Sequence, residues 1–378
     1  MLIDSYDRVI DYLRVSVTDR CNFRCVYCMP EEGAPVAPAS NILDADEIVR
    51  VVSIAASLGM SKIRLTGGEP LVRKDIVELV RRIAALPDVA ELSMTTNGFL
   101  LAPLACQITK CGLTRINISL DTLRADRFHR LARRGNLGQT LAGIDAALAA
   151  GLIPVKLNCV VMRGWNEDEV ADFAAWTLEQ PVDVRFIELM PINWSTGDDS
   201  IATLPVQIGN GVSVGSENIR LYANSDLNTF RQSFHGVTIV APHGQLDASE
   251  MRKAFVSTDE TRSLVEARHG QLEPASVQTN GPARTFRIPG AVGTVGFISQ
   301  ITNDMCVDCN RLRLTADGQL RPCLMADGEV DLRSLLRNGA SDREIAEMFR
   351  ITVLHKPKEH RLEDGLAPTG RNMSQLGG

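Results

Sequence analysis

Three cysteines stand within eight residues near the start of the chain, at Cys21, Cys25 and Cys28. Thiolates at this crowding are metal ligands far more often than disulfide partners. No fourth cysteine stands nearby, so three thiolates would leave one iron of a four-iron cluster without a protein ligand. An open coordination position is where a catalytic metal site does its chemistry. The alternatives are three incidental buried thiols or a zinc knuckle, which requires a fourth ligand close by.

A second set of three cysteines, Cys306, Cys309 and Cys323, lies near the other end of the chain. The Asp-Gly pair at 317–318 separates two alternating runs and predicts a β-hairpin that would return Cys323 to the loop of the other two. We interpret this set as the ligands of a second [4Fe–4S] cluster with one open iron. A structural zinc, or a cluster with four protein ligands, is the alternative. Three other cysteines could supply that fourth ligand: Cys106, Cys111 and Cys159.

The composition is that of a large globular chain in a reducing compartment. Its 378 residues are 44% hydrophobic, which provides a core without disulfides. The first residues show no signal-peptide pattern and no apolar run reaches membrane length, so we expect a cytoplasmic protein with no membrane contact. The net charge of −6 disfavours nucleic acid as a partner. An anionic substrate would therefore require a local basic pocket.

Six strand-like runs alternate with five helix-like segments in the first half of the chain. Strands are expected at 12–18, 62–66, 89–95, 115–120, 154–161 and 183–189. Helices are expected at 44–58, 73–85, 101–110, 137–150 and 167–179. The alternation predicts an α/β fold, which we interpret as an incomplete (β/α)6 TIM-type barrel with a C-terminal cluster-binding region. Periodicity alone does not separate such a barrel from a doubly wound sheet.

Residues that could bind a ligand or take part in a reaction follow the ends of these strands. The first strand leads into the cysteine loop, and later strands lead into Gly68-Glu69, Ser119 and Met190. Ligands of parallel α/β folds bind beyond the carboxyl ends of the strands, so these residues would meet on one face. Glycine lets the backbone approach a ligand, and Glu69 could accept a hydrogen bond from a cationic amino group. Taken alone, Gly-Gly-Glu-Pro could also be a plain turn.

Basic residues recur within the predicted strands, at Arg14, Arg64, Lys156 and Arg185. An unpaired cation inside a sheet is costly, so each residue could belong to a structural ion pair. Four such residues on one sheet favour a cationic pocket for a polyanion, because guanidinium groups suit phosphate oxygens.

Two further arginines, Arg311 and Arg313, lie two residues apart on the first strand of the predicted hairpin. Their side chains would project from the same face of that strand. A surface strand would have the same pattern. The adjacency to an open iron favours ligand binding.

The pattern of the chain changes near residues 193 and 250, which gives three regions. Residues 1–193 form the predicted partial barrel, and residues 251–378 contain the second cysteine set. Between them the alternation stops and polar loops and short β-like runs follow. We interpret 194–250 as an atypical insertion of unknown role, such as hairpins that form a flap or an oligomer contact.

The octet from Cys21 to Cys28, with an aromatic residue before its last cysteine, resembles the radical S-adenosylmethionine (SAM) enzymes. In that family the amino and carboxylate groups of SAM chelate the open iron. The resemblance implies that Gly68, Ser119 and Met190 contact SAM. It also implies that Tyr27 contributes its backbone near the adenine.

Both cysteine sets, the Asn-Arg-Leu-Arg-Leu-Thr run at 310–315 and the terminal Gly-Gly together resemble the MoaA family, the GTP 3′,8-cyclases of molybdenum cofactor biosynthesis. The resemblance implies two [4Fe–4S] clusters and SAM as cofactors. In relatives of this family we expect only a short link where this chain has residues 194–250. Six residues would then hold GTP: Arg14, Arg64, Thr95, Lys156, Arg311 and Arg313. Catalysis would involve Arg313 and a flexible tail, formed by Gly377 and Gly378, that reaches into the active site. Without the resemblance, a terminal Gly-Gly would indicate only a mobile terminus.

The same resemblance implies a reaction, in which the protein orients the reactants and the cofactors do the difficult chemistry. A 5′-deoxyadenosyl radical from SAM removes the 3′ hydrogen of the GTP ribose, and the resulting carbon radical attacks guanine C8. Reduction of the cyclised radical, with the second cluster nearby, gives 3′,8-cyclo-7,8-dihydro-GTP, which makes the enzyme a lyase. The implied partners are a low-potential electron donor such as flavodoxin or ferredoxin, and a downstream cyclic pyranopterin monophosphate synthase. A homodimer is one assembly to test.

Two rival functions are open to test. A radical SAM enzyme that modifies a peptide would also carry an auxiliary cluster, but such enzymes tend to have more auxiliary cysteines and need no triphosphate pocket. A non-catalytic Fe–S redox protein would not need an open iron in both clusters or basic residues between them.

Overall fold

The computed structural model describes residues 1–190, 192, 206–208, 212–214, 219–220, 248–275, 281–302, 305–360, 362 and 371–377. In chain order the strands of this part are β1 (Leu2–Ile3), β2 (Val9–Ile10), β3 (Tyr12–Ser16), β4 (Lys62–Thr66), β5 (Glu91–Thr96), β6 (Arg115–Ser119), β7 (Val155–Val161), β8 (Val182–Glu188), β9 (Val206–Ile208), β10 (Val212–Val214), β11 (Ile219–Arg220), β12 (Glu273–Pro274), β13 (Arg284–Arg287), β14 (Thr294–Ile298), β15 (Arg311–Leu314), β16 (Gln319–Arg321) and β17 (Glu329–Asp331). The α-helices are α1 (Ala45–Ser57), α2 (Ile76–Ala84), α3 (Ala105–Lys110), α4 (Ala125–Ala132), α5 (Leu137–Ala149), α6 (Val170–Glu179), α7 (Ala248–Ala254), α8 (Thr258–His269), α9 (Leu332–Arg337) and α10 (Asp342–Leu354).

The centre of the main sheet is parallel and follows the chain order. Strands β3 to β8 pair consecutively, each parallel to the next. Consecutive order without a reversal is typical of a barrel-type sheet, whereas a doubly wound sheet reverses its order. The predicted α/β fold with six parallel strands is therefore confirmed. In the described residues the two end strands, β11 and β12, do not pair with each other, so closure into a barrel stays a prediction.

The C-terminal region extends this sheet on both sides. β14 pairs parallel with β8, and β15 pairs parallel with β3. Antiparallel strands continue outward on each side, β13 and β12 beyond β14, and β16, β17 and β11 beyond β15. The partner of a strand is decided by tertiary contacts, so a local pattern could not predict this arrangement. Residues 251–378 therefore share one sheet with the N-terminal region.

The helices begin and end close to the predicted positions. At the start of α1, Asp44 and Glu47 form a capping box in which each side chain accepts from the other's backbone N–H. The sequence pattern missed α4, because this eight-residue helix buries few of its side chains. That helix matters because the carbonyls at its end accept hydrogen bonds from the backbone of the first cysteine loop.

The two faces of the central strands differ in polarity. In β3, Leu13 and Val15 are fully buried in the hydrophobic core. Tyr12 and Arg14, on the opposite face, line a cavity. Successive side chains of a strand point to opposite faces, so one strand supplies both the core and the cavity wall.

Among the described residues, no helix combines the length and the apolar character needed to cross a membrane.

Candidate active site

The cavity inside the parallel sheet collects most of the predicted site residues. Twelve of them line it: Arg14, Cys21, Cys25, Tyr27, Cys28, Arg64, Gly68, Thr95, Ser119, Met190, Arg311 and Arg313. The other predicted residues that the structure describes are not in the lining set: Lys156, Cys306, Cys309, Cys323 and Gly377. Lys156 is buried on the same strand as the lining residue Asn158. The cavity therefore joins the first cysteine loop, the strand arginines and the C-terminal hairpin in one space.

The first cysteine loop is held in place by its backbone. The N–H groups of Arg24 and Val26 donate to the carbonyls of Ala132 (2.9 Å) and Leu131 (3.0 Å), at the end of α4. Phe23 packs edge-on against neighbouring phenylalanine rings at 5.6 and 5.7 Å. These contacts anchor alternate residues of the loop, which leaves the three thiols directed to the cavity.

The three thiols of this loop lie in a desolvated, crowded environment. Burial raises the pKa of Cys21 to about 11, and it raises that of Cys28 to about 12 with a further contribution from Cys21. Burial also raises the pKa of Cys25, and the neighbouring thiols add to this shift. A bound metal would reverse these shifts because it stabilises thiolates. The donor set, three soft sulfur atoms at the edge of a cavity, therefore fits an iron–sulfur cluster.

The Gly-Gly-Glu-Pro turn packs directly on the cysteine loop. The N–H groups of Gly68 and Glu69 donate to the carbonyls of Thr18 and Arg20, both at 2.8 Å. A Cβ atom on Gly68 would lie 2.3 Å from the carbonyl oxygen of Arg20. Glycine is therefore required here for close approach of two backbones, whatever ligand lies beyond them.

Glu69 is fully buried and braces the neighbouring strand end. Its carboxylate accepts from Thr96 Oγ1 (2.6 Å) and from the Asn97 backbone N–H (2.7 Å). Burial raises the pKa of Glu69 to about 7, although these hydrogen bonds oppose the shift. The carboxylate lines the cavity while it ties the turn to β5.

Asp121 is a cavity residue to which the sequence analysis assigned no role. It accepts from the Tyr27 hydroxyl (2.8 Å) and from the Val160 backbone N–H (2.9 Å). Burial raises the pKa of Asp121 to about 6. Its position just after β6 was the available signal, because the other strand ends also carry site residues.

Three arginines stand in one row across adjacent strands. Arg313 on β15 is in register with Arg14 on β3, and Arg14 is in register with Arg64 on β4. The guanidinium groups of Arg64 and Arg311 lie 5.5 and 5.8 Å from the centre of the Tyr12 ring. Within the described part of the chain, neither these two nor Arg313 forms a salt bridge. For Arg64, the structural ion pair that the sequence left open is therefore not present in the described residues.

Burial and mutual repulsion depress the pKa values of the cavity cations. Burial lowers the pKa of Arg313 to about 10 and that of Arg185 to about 10. Burial, with Arg185 second, lowers the pKa of Lys156 to about 7. Since an anionic ligand would relieve both effects, the cavity has the electrostatics of a polyanion site.

Several buried polar atoms on the cavity wall have no hydrogen-bond partner in the described residues. They are Tyr12 Oη, Thr95 Oγ1, Asn117 Oδ1 and Asn158 Oδ1. Buried polar groups are nearly always hydrogen-bonded, so these atoms indicate a polar ligand. Thr95 was predicted from the sequence; the other three were missed because an isolated Tyr or Asn on a strand carries no motif.

The second cysteine set lies on the predicted hairpin. The turn is formed by Asp317 and Gly318, with φ of +82° at the glycine, and β15 pairs antiparallel with β16. Lys356 Nζ donates to the carbonyls of Arg311 and Pro322, which neighbour Cys309 and Cys323 in the chain. The hairpin therefore brings Cys323 beside the loop of Cys309, as the sequence predicts.

The three remaining cysteines lie on other elements. Cys159 is buried in the core on β7, which the sheet order separates from β15 by four strands. Cys106 is exposed on α3 and Cys111 follows that helix. None of them lies on the hairpin or on a strand beside it. In the described residues, no three His, Cys, Asp or Glu side chains converge on a position for one metal ion. A four-iron cluster differs, because each thiolate binds a separate iron.

The C-terminal tail lies against the carboxyl ends of β3 and β4. Gly377 accepts a hydrogen bond from Arg313 Nη1 (3.0 Å). A Cβ atom on Gly377 would lie 3.2 Å from the Thr66 methyl group and 3.4 Å from Ser16 Cβ. Gly378 lies outside the described residues. The tail thus reaches the strand ends that also carry the first cysteine loop and the Gly-Gly-Glu-Pro turn.

A cysteine loop of this spacing at the carboxyl ends of a parallel α/β sheet, beside a glycine-rich turn, defines an enzyme of the radical SAM class. Residues 15–177 match the radical SAM superfamily, and residues 240–362 match the family described as Molybdenum Cofactor Synthesis C.

Curated relatives are similar over the whole chain. The GTP 3′,8-cyclase of Moorella thermoacetica is 44% identical over 376 residues, which are 99% of each chain. Those of Heliobacterium modesticaldum and Pelotomaculum thermopropionicum are each 43% identical, covering 100% and 99% of both chains. The chain belongs to the GTP 3′,8-cyclase family. Since these alignments span both chains almost completely, these relatives carry a segment of comparable length at 194–250, and the expectation of a short link is wrong for them. A flap or an oligomer contact stays a prediction for this segment.

Proposed function

We propose that this chain catalyses the SAM-dependent cyclisation of GTP to 3′,8-cyclo-7,8-dihydro-GTP, the first step of molybdenum cofactor biosynthesis. The observation that carries the proposal is the row of arginines that lines the same cavity as the first cysteine loop. The names and the full-length similarity of the relatives support it.

The first cysteine set would hold a [4Fe–4S] cluster, with SAM at its open iron. Four residues of the cavity wall would contact SAM: Tyr27, Gly68, Ser119 and Met190. When bound, this cluster and SAM supply a carbon radical that can remove hydrogen from an unactivated C–H bond. The contribution of the chain is to orient the reactants and to exclude water from a buried space.

The triphosphate of GTP would bind to the cationic wall. Arg14, Arg64, Arg311 and Arg313 supply guanidinium groups that match phosphate oxygens, and Thr95 supplies a hydroxyl without a partner in the described residues. Lys156, on the same strand face as the lining residue Asn158, would add charge. Because several of these cations have no carboxylate partner in the described residues, phosphate charge would offset the cost of burying them.

Cys306, Cys309 and Cys323 would hold the second [4Fe–4S] cluster, which would supply an open iron for a heteroatom of the substrate. Arg313 would act at two points, on the phosphates and on the Gly377 carbonyl. The proposal also includes a role of Gly377 and Gly378 in catalysis. A low-potential flavodoxin or ferredoxin would donate electrons, and a cyclic pyranopterin monophosphate synthase would act on the product. We further propose a homodimeric assembly and a cytoplasmic location.

An anaerobic assay tests the proposal. Reconstituted enzyme with dithionite and SAM should form 5′-deoxyadenosine and a cyclised nucleotide with GTP, and neither product with UTP. SAM cleavage stimulated by UTP or by a peptide, but not by GTP, would contradict the assignment and favour a different radical SAM activity.

A further inference from the structure

A lysine just after α10 connects the two strands of the hairpin that carries the second cysteine set. Lys356 is 3% exposed, and its ammonium donates to the carbonyls of Arg311 (2.9 Å) and Pro322 (2.7 Å). Arg311 follows Cys309 by two residues, and Pro322 directly precedes Cys323. One ammonium group therefore fixes the distance between two of the three cysteine positions.

The same segment is tied to the third cysteine. Arg8 donates to the carbonyl of Cys306 (2.6 Å) and also to the carbonyls of Pro357 (2.6 Å) and Lys358 (2.8 Å). Asp4 holds the Arg8 guanidinium at 2.6 Å. Residues 356–358 thus contact the surroundings of all three cysteines, directly or through one arginine.

The charge of Lys356 requires a partner. In the part of the chain that the structure describes, no salt bridge joins its ammonium to a carboxylate. A buried ammonium without an anion is costly, and two carbonyl dipoles compensate only in part. The anion-forming groups beside the two carbonyls that the ammonium contacts are Cys309 and Cys323.

We propose that Lys356 positions the second cysteine set and supplies the positive charge that balances an iron–sulfur cluster bound there. The inference rests on the proposed function only in taking this set as a cluster site. A cluster with three thiolate ligands carries a net negative charge, which grows on reduction. A fixed ammonium beside it therefore stabilises the reduced form and raises the reduction potential.

The test uses the full chain with both cysteine sets, reconstituted anaerobically with iron and sulfide. In Lys356→Met, which keeps the length and removes the charge, we expect iron to fall from about eight to about four atoms per chain, with SAM binding retained by the first cluster. Lys358→Met is the matched control, since Lys358 is an exposed lysine two residues away. Lys356→Arg keeps the charge and the donors and should retain the iron.

If Lys356→Met keeps all its iron, the loss of the positive charge should still lower the midpoint potential of the second cluster. This potential is measured by redox titration in a chain with Cys21, Cys25 and Cys28 replaced by serine. Wild-type iron content together with an unchanged potential would overturn the proposal. Should Lys356→Met lose SAM binding as well, Lys356→Arg decides: retained iron supports the proposal, and equal loss shows a packing role instead. None of these measurements includes GTP. A result that contradicts the role of Lys356 would therefore leave the cyclase assignment unaffected.

Discussion

At the scale of single residues, Arg313 differs from the arginines of the protein surface. Surface arginines such as Arg81 and Arg350 pair with a glutamate three residues away, where the pairing contributes little. Arg313 is buried, in register with Arg14, and has no carboxylate partner in the described residues. Such a residue costs stability in the free protein, and this cost fits the proposed role of Arg313 in phosphate binding.

Arg313→Ala should weaken GTP binding and leave SAM binding intact. A hydrogen bond to a charged group contributes about 1.5–3 kcal/mol, so the Kd for GTP should rise roughly 10- to 100-fold. Anaerobic equilibrium dialysis with each ligand measures both affinities. Arg343→Ala, on an exposed position of α10, is the control. Equal loss of both ligands would contradict a phosphate role for Arg313.

Binding of GTP should be accompanied by proton uptake between pH 7 and 9. Burial lowers the pKa of Lys156 to about 7, so the free protein loses this proton as the pH rises through that value. A bound triphosphate raises this pKa again, which favours the charged form. Calorimetry in two buffers of different ionisation enthalpy measures the uptake. The uptake should disappear in Lys156→Met; an unchanged value there would assign it to another group.

At the scale of elements, close backbone contact decides where the first cysteine loop lies. The turn at 67–70 and the end of α4 hold this loop from two sides. No side chain intervenes between Gly68 and the Arg20 carbonyl. The geometry of the thiols therefore depends on elements distant in sequence.

Gly68→Ala should reduce the iron held by the first cysteine set. The added Cβ would lie 2.3 Å from the Arg20 carbonyl oxygen, so the cysteine loop has to move. We expect iron content to fall toward four atoms per chain and SAM binding to be lost, while the second cluster remains. Gly138→Ala near the start of α5 adds only an ordinary contact and should behave as wild type. Full iron content in Gly68→Ala would refute this role of the glycine.

The C-terminal tail is attached to the hairpin turn by an ion network. Arg371 contacts Glu329 at 2.6 Å and Asp317 at 2.9 Å, and Arg321 contacts the same glutamate. Burial opposes the charge of Arg371, but these carboxylates outweigh it and raise its pKa. The network therefore fixes the position of Arg371, from which the tail continues to the carboxyl ends of β3 and β4.

Arg371→Met should release the tail while both clusters stay bound. We expect faster removal of the last residues by carboxypeptidase and a lower rate of GTP cyclisation, with unchanged SAM binding. Arg350→Met, which breaks an exposed pair, provides the comparison. Digestion at the wild-type rate would show that the network does not hold the tail.

At the scale of the whole molecule, the C-terminal region is part of the sheet. It covers the outer edges of β3 and β8 with β15 and β14. An uncovered strand edge presents unpaired backbone groups to other chains. We therefore expect the N-terminal region to need the region with the second cysteine set in order to stay folded.

A chain truncated after residue 247 should aggregate, because both edges of the six-stranded core lose their partners. A chain truncated after residue 370 keeps both edge strands and should stay monodisperse. Size-exclusion chromatography compares the two. A stable, iron-binding fragment 1–247 would show that the N-terminal region folds alone.

The sequence alone determined the two cysteine sets, the strand–helix alternation and the hairpin, because spacing, periodicity and Asp-Gly turns are local signals. It also placed Arg311 and Arg313 on one face of a strand. The tertiary structure decided which strands are neighbours, and thus that Arg313, Arg14 and Arg64 form one row. It also decided the positions of Asp121, Asn117 and Lys356, since these are defined by contacts between residues far apart in the chain, and no local pattern records such contacts.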